Sequence, residues 1–180
     1  MPYPKRKIVI SINTSWNIIN FRLNLIKHLQ KQGYEIVAFS PEDSYSKLLI
    51  AENIKFEKIK IDKKGNNPIK DLELTTKYYS LLKKHRPHAV LFFTIKPNIY
   101  GTLAAGALGI PIINNVSGLG TTFIRETWVS KFVKTLYKRS FKFSNKVFFQ
   151  NEDDKELFIT HKLVSSTKTG VLPGSGVDLN

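Results

Sequence analysis

Ala89–Asn114 reads AVLFFTIKPNIYGTLAAGALGIPIIN, and this stretch decides the fold. Ala89-Val90-Leu91-Phe92-Phe93 is a continuous apolar run of strand length, as expected for a strand buried on both faces of a parallel sheet. Ile99–Leu108 is small and apolar, which suits a helix packed closely on that sheet. Ile110–Asn114 is apolar again and reads as the next buried strand. Strand, helix and parallel strand form a βαβ unit.

The alternation extends in both directions. Upstream, Lys7–Ile12 reads as a strand and Ile18–Gln32 as a helix, with Phe21, Leu25 and Leu29 spaced four apart and Gly33 a C-cap candidate. Glu35–Phe39 is a strand stopped by Pro41, Ser44–Glu52 a helix and Lys55–Ile61 a strand. Asn67 and Pro68 open a helix that runs to about His85 and stops at Arg86-Pro87. Downstream come a helix from about Thr127 to Phe143, a strand over Lys146–Gln150, a helix over Asp153–His161 and a last strand over Lys168–Leu172. The expected fold is α/β, a Rossmann-like parallel sheet with helices on both faces. Ligands of such sheets bind beyond the carboxyl ends of the strands. The loops to inspect are therefore Asn13–Asn17, Thr94–Asn98 and Val116–Thr122.

Composition bounds the function. The 180 residues suit one domain or one lobe of a larger enzyme, and 42% hydrophobic with 23% charged residues is globular. The absence of Cys excludes disulfide scaffolds, Cys-ligated zinc and Cys nucleophiles. Ile8–Ile12 is too short for a signal-peptide core, and no run approaches the ~20 apolar residues of a spanning helix. A cytoplasmic protein is expected, with any membrane contact at its surface. The 28 Lys+Arg against 14 Asp+Glu give a net charge of +14, which favours anionic partners. No recognition helix or single-strand stacking signature accompanies the charge, so a nucleic-acid partner is not expected.

Each loop carries candidates beside a plainer alternative. Asn13-Thr14-Ser15-Trp16-Asn17 lacks the glycines of a dinucleotide fingerprint, which argues against NAD or FAD. Asn13 and Ser15 could still contact an anion at a helix N-terminus, the alternative being capping by Ser15 or Asn17. Lys96 could pair with a phosphate, although a lone lysine is usually solvated, and Asn98 could cap the following helix. Ser117, Gly118, Leu119 and Gly120 place two glycines where a backbone could approach a ligand, or where a flexible turn is needed. Lys131, Lys134, Lys138 and Lys142 share one side of a helix, with Arg139 and Lys146 flanking, while Val133, Leu136, Tyr137 and Phe141 take the other. That basic side is a solvated face or a contact with an anionic membrane. The four His show no ligand spacing, and His85 suits its helix C-terminus. No Ser-His-Asp pattern, P-loop or paired carboxylates appear at the loop tips.

Six stretches in register carry a resemblance. They are Asn20-Phe21-Arg22, Lys64-Gly65-Asn66-Asn67-Pro68, Lys96-Pro97-Asn98-Ile99-Tyr100-Gly101, Gly118-Leu119-Gly120-Thr121-Thr122-Phe123, Phe148-Phe149-Gln150-Asn151-Glu152-Asp153-Asp154 and Gly174-Ser175-Gly176-Val177-Asp178. Together the chain resembles the N-terminal lobe of bacterial family 4 glycosyltransferases with the GT-B fold, and within them the capsule, O-antigen and N-acetylgalactosaminyltransferase-like enzymes. The resemblance implies two Rossmann-like lobes. The first would bind the acceptor, and the second the nucleotide-sugar donor. Residues 1–172 would be the acceptor lobe, residues 173–180 the start of the linker, and the donor lobe would lie beyond the chain.

The implied reaction is retaining transfer from a UDP-sugar, without metal or cofactor, to a lipid-diphosphate-linked saccharide in surface polysaccharide or glycan synthesis. The implied location is the inner face of the bacterial plasma membrane, peripherally held on its anionic surface. Asn13 and Ser15 would contact diphosphate or acceptor, Lys96 and Asn98 would line the cleft, Ser117 to Gly120 would approach the reacting sugars and Arg22 would lie near the acceptor phosphate. Lys131, Lys134, Lys138, Arg139 and Lys142 would face the membrane. No His follows the strands ending at Phe93 or Asn114, so no catalytic residue is assigned. The alternative is a non-catalytic membrane-associated subunit that pairs with a separately encoded donor lobe.

Overall fold

The computed structural model describes residues 6–62, 67–118, 128–172 and 174. Seven strands form one parallel sheet: β1 (Lys7–Ser11), β2 (Glu35–Ser40), β3 (Lys55–Lys58), β4 (Ala89–Phe93), β5 (Ile112–Val116), β6 (Lys146–Phe149) and β7 (Thr169–Val171), ordered β3-β2-β1-β4-β5-β6-β7. The order reverses between β1 and β4, so the loops after those strands diverge there and leave a crevice at the carboxyl edge.

The helices are α1 (Ser15–Lys31), α2 (Ser46–Ala51), α3 (Pro68–His85), α4 (Thr102–Ala107), α5 (Trp128–Ser140) and α6 (Glu152–Thr160). Asn67 caps α3 by accepting from the amides of Ile69 and Lys70, with Pro68 in the first turn as expected. Gly33 follows the end of α1 at φ +85, a conformation that costs glycine no Cβ clash. Several ends differ from expectation. Helix α1 begins earlier, because Thr14 rather than Ser15 or Asn17 caps it, accepting from the Asn17 amide at 3.1 Å. β5 begins at Ile112 rather than Ile110. The Ile110 amide still closes α4 on Ala105, and Pro111, which has no N–H, offers its carbonyl to Val90 instead.

The segment expected as one helix over Ile99–Leu108 is a π-helical turn, Pro97–Gly101, continuing into α4. It lies close to the sheet because Gly101 and Gly106 carry no Cβ. One added at Gly101 would run into the Phe92 ring, and one at Gly106 into Phe143.

Alternate strand side chains feed two cores. Val9, Val37, Phe39, Val90, Phe92, Ile112, Val147 and Phe149 pack under α3, α4, α5 and α6. There Tyr137, Phe149 and Phe158 meet edge-on, with ring centroids 5.1 and 5.2 Å apart. Ile8, Ile10, Ile36, Ala38 and Phe93 pack under α1 and α2. Full cover on both faces was expected. Among the described residues this second face has only α1 and α2 over it, and Leu91, Ile113 and Phe148 of β4 to β6 remain half-buried.

Candidate functional site

At the carboxyl edge, three loops converge on a cavity of about 320 Å³. The loop after β1 supplies Asn13, the loop after β4 supplies Thr94 and Lys96, and the end of β5 supplies Ser117 and Gly118. Asp62 closes the side. Of the residues singled out in the sequence, the structure thus brings together Asn13, Lys96, Ser117 and Gly118. Leu119 and Gly120 lie outside the described residues. Asn13 lines this hollow, and its Oδ1 is buried without a hydrogen-bond partner among the described residues. Gly118 has φ +102, and Thr94, a β-branched residue, is held at φ +63. Thr94 keeps that conformation because its carbonyl accepts from the Asn98 amide at 3.0 Å while its hydroxyl donates to the Phe93 carbonyl at 2.6 Å.

Lys96 is not a solvated lysine. Its Nζ lies 2.8 Å from Asp71 Oδ1, and Tyr100 donates its hydroxyl to Asp71 Oδ2 at 2.7 Å. Burial and the neighbouring Asp71 carboxylate push the Tyr100 hydroxyl's pKa well up. The lysine is therefore a positioned cation, fixed by a buried carboxylate on the first turn of α3. Asp71 and Tyr100 escaped the sequence reading. Their signals were present, Asp71 as the acid in the first turn of a capped helix and Tyr100 four residues after Lys96. Only the packing of α3 against the turn after β4 joins them.

Four expectations fail on geometry. Asn98 neither lines the cavity nor caps a helix. It is fully buried, donating to the Asn115 carbonyl and accepting from Asn114 Nδ2, both at 2.9 Å. Asn114 in turn bonds Thr102 and Ser144, so Asn98 ties the loop after β4 to β5 from beneath. Ser15 is also fully buried, its hydroxyl 2.8 Å from Ser40 and 3.0 Å from Ser46. The N-terminus of α1 is already occupied, because Asp43 Oδ2 accepts from the amides of Ser15 and Trp16 at 2.8 and 3.3 Å. An internal carboxylate thus takes the place of an external anion. Arg22 belongs to the opposite face of the sheet, over the Phe93 ring at 4.4 Å, and lines a different hollow. His85 bonds Glu57 at 2.7 Å rather than its own helix end.

The surroundings are basic. A second depression of about 400 Å³ shares Lys96 and Asp62 with the first and adds Lys58, Lys60, Lys70 and Lys77. Asp62 pairs with Lys70 at 2.9 Å, and that hydrogen bond holds its carboxyl below the usual range. Helix α5 buries Val133 and Tyr137 and exposes Lys131, Lys138 and Arg139 as expected; Lys142, just beyond it, is also exposed, while Lys134 is half-buried beside His161. Sequence reasoning missed the apolar residues among these cations: Trp128 is 89% exposed, with Val129 and Phe132 beside it and Lys131 Nζ 5.9 Å from its ring. On α3, Ile69 and Leu72 are 72% and 66% exposed. No helix among the described residues is long and apolar enough to cross a membrane, and no group of three metal-ligating side chains occurs among them.

A family model described as "Glycosyl transferase 4-like" matches residues 7–151, which include β1 to β6 and every loop of the cavity. The chain is 28% identical over 168 residues to the N,N'-diacetylbacillosaminyl-diphospho-undecaprenol alpha-1,3-N-acetylgalactosaminyltransferase of Campylobacter jejuni, covering 91% of this chain and 44% of that protein. It is 33% identical over 116 residues to the UDP-Gal:alpha-D-GlcNAc-diphosphoundecaprenol alpha-1,3-galactosyltransferase of Escherichia coli, covering 62% of this chain and 29% of that protein. A solved glycosyltransferase from Rickettsia africae superposes with a TM-score of 0.67 at 18% identity, covering 94% of this chain and 43% of that one. The chain spans less than half the length of the curated relatives it matches.

Proposed function

This chain belongs to the glycosyl transferase 4-like family, and on that premise we propose that it is the acceptor-binding lobe of a retaining glycosyltransferase that moves a sugar from a UDP-sugar to a lipid-diphosphate-linked saccharide. The observation that carries the proposal is the carboxyl-edge cavity, where Asn13, Lys96, Ser117 and Gly118 meet beside Asp62. The names of the two curated relatives support the acceptor class, since both describe transfer to a sugar on diphosphoundecaprenol.

The residues divide the work by chemistry. Asn13 Oδ1 needs a donor, which suits an acceptor hydroxyl or the N–H of an N-acetyl group better than a phosphate. Lys96, fixed by Asp71, supplies positive charge where a nucleoside diphosphate departs. At Gly118 the left-handed backbone lets main-chain amides approach the sugars without a Cβ in the way. The donor would be held by a second lobe. The exposed Trp128, Val129 and Phe132, set among Lys131, Lys138 and Arg139, support peripheral binding to the anionic inner face of the plasma membrane, with aromatic rings at headgroup level.

The test is binding of an undecaprenyl-diphosphate-linked N-acetylhexosamine in neutral vesicles. The chain is expected to bind it, to turn over no UDP-sugar alone, and to lose about tenfold in affinity on Asn13→Ala or Lys96→Met, the effect of one lost hydrogen bond to a polar ligand. Equal affinity for the same lipid without its sugar would remove Asn13 from the acceptor site. Sugar transfer by the 180-residue chain alone would end the two-lobe reading.

A further inference from the structure

The side-chain oxygens that line the carboxyl-edge cavity have no proton to offer. Thr94 donates its hydroxyl hydrogen to the Phe93 carbonyl at 2.6 Å. Ser117 donates its own to Asn115 Oδ1 at 3.1 Å. Asn13 contributes an amide oxygen, buried and without a partner among the described residues. Asp62 contributes a carboxylate whose Oδ2 accepts from Lys70 at 2.9 Å. All four residues line the same cavity. A hydroxyl has one proton and two lone pairs, so once that proton is engaged it can only accept, as a carboxylate does.

Acceptors from four separate loops therefore ring one hollow. Lys96 is the one cation lining it among the described residues, and Asp71 already accepts from its Nζ at 2.8 Å. A ligand rich in O–H and N–H groups can complete each oxygen without disturbing a bond the protein already has. A ligand that brings further acceptors sets oxygen against oxygen, unless Thr94 and Ser117 give up their bonds to Phe93 and Asn115. A ligand carboxylate also meets the charge of Asp62, which the hydrogen bond from Lys70 holds below the usual carboxylate range and so ionised at neutral pH. At about 320 Å³ the cavity is at the small end of ligand pockets and suits a single sugar ring.

We propose that this acceptor-only wall sets the specificity for the acceptor's terminal sugar: it takes a neutral ring with free hydroxyls and rejects a uronic acid. Asp62 is the specificity-determining residue. Its ionised carboxylate accepts the strongest hydrogen bonds of the four oxygens and is the one that repels a like charge on the ligand. Thr94 and Ser117 read the remaining hydroxyls, and Lys96 stays free for the departing diphosphate. The inference rests on the acceptor-site reading above and adds to it the chemical class of sugar.

Four probes in neutral vesicles test it: undecaprenyl diphosphate bare, linked to N-acetylglucosamine, linked to glucuronic acid, and linked to N-acetylglucosamine with fluorine in place of its ring hydroxyls. The fluorinated sugar keeps about the same size and has lost those donors. The N-acetylglucosamine lipid is expected to bind about tenfold or more tightly than the glucuronic acid and fluorinated lipids. Asp62→Asn removes the charge and supplies an NH₂ donor, so it is expected to bring the first two within about threefold of each other. Its ion pair with Lys70 lies at the surface, and its loss is expected to leave Tm nearly unchanged. Ser117→Ala, at an exposed position, is expected to weaken the N-acetylglucosamine lipid about three- to tenfold and leave the bare diphosphate unaffected.

Equal binding of the N-acetylglucosamine and glucuronic acid lipids, both tighter than the bare diphosphate, overturns the specificity inference and leaves the acceptor-site reading standing. Tighter binding of the glucuronic acid lipid does the same and assigns the cavity to an anion on Lys96. A preference that survives Asp62→Asn unchanged, in a variant that folds, removes Asp62 from the role. Should Asp62→Asn not fold, an unchanged affinity of Ser117→Ala for the N-acetylglucosamine lipid overturns the wall by itself. Sugar-linked lipids that bind no better than bare undecaprenyl diphosphate bring down the acceptor-site reading, and this inference with it.

Discussion

Asp71→Asn is the substitution that tests how Lys96 is held. The Asp71 carboxylate accepts from Lys96 Nζ at 2.8 Å and from Tyr100 at 2.7 Å, and its residue is 6% exposed. The amide keeps the shape but loses the charge, and its NH₂ must face a lysine or a tyrosine donor. Hydrogen bonds to charged groups contribute about 1.5–3 kcal/mol each, and breaking a fully buried ion pair costs about 3–5 kcal/mol. The Lys96 side chain is 16% exposed at the cavity rim and can turn toward water, so the lower end applies, about 2–3 kcal/mol. Urea unfolding followed by Trp fluorescence and circular dichroism measures it. The cycle with Lys96→Met isolates the pair, and a coupling of about 1–2 kcal/mol is expected for contacting residues. A coupling within about 0.3 kcal/mol of zero, the level of independent sites, would refute the claim that Asp71 positions Lys96.

Four further outcomes are expected. Gly101→Ala should destabilise by about 1–3 kcal/mol through overpacking on Phe92, with Phe92→Leu recovering part of the loss in thermal unfolding. Asp43→Ala should cost about 0.5–2 kcal/mol by uncapping the α1 amides, and added sulfate should then raise Tm in the variant more than in the parent. Burial pushes the Glu57 pKa up, but hydrogen bonds and charges from Lys84 and His85 prevail and hold it below the ordinary value. A depressed carboxylate stabilises the fold above its unfolded pKa of about 4.3 and loses that contribution as pH falls through the folded value, so Glu57→Gln should flatten the acid limb of a Tm–pH profile. Trp128→Ala with Phe132→Ala should weaken sedimentation with anionic vesicles while leaving Tm nearly unchanged, since both rings are exposed; loss of folding instead would place them in the core.

The six-motif resemblance and the family match over residues 7–151 agree, and the βαβ alternation was legible because buried parallel strands leave apolar runs such as Ala89–Phe93. Site residues were legible only by loop. Asn13, Lys96, Ser117 and Gly118 do converge, because parallel topology forces every strand's carboxyl end to one edge. Ser15 and Asn98 looked identical in sequence to exposed ligands. Ser40 and Ser46 claim the first, and Asn114 and the Asn115 carbonyl claim the second, partners 16 to 31 residues away.

The sequence by itself determined the layered α/β fold, the caps at Asn67 and Gly33, the family and the positive charge, since each follows from local pattern or composition. Tertiary structure alone decided three things. Lys96 is a fixed cation rather than a solvated one, Asp43 fills the helix N-terminus that an external anion would need, and Arg22 faces an apolar groove rather than the cleft. In each case the deciding partner is distant in sequence or on the opposite face of the sheet, and short-range periodicity carries no information about such a neighbour.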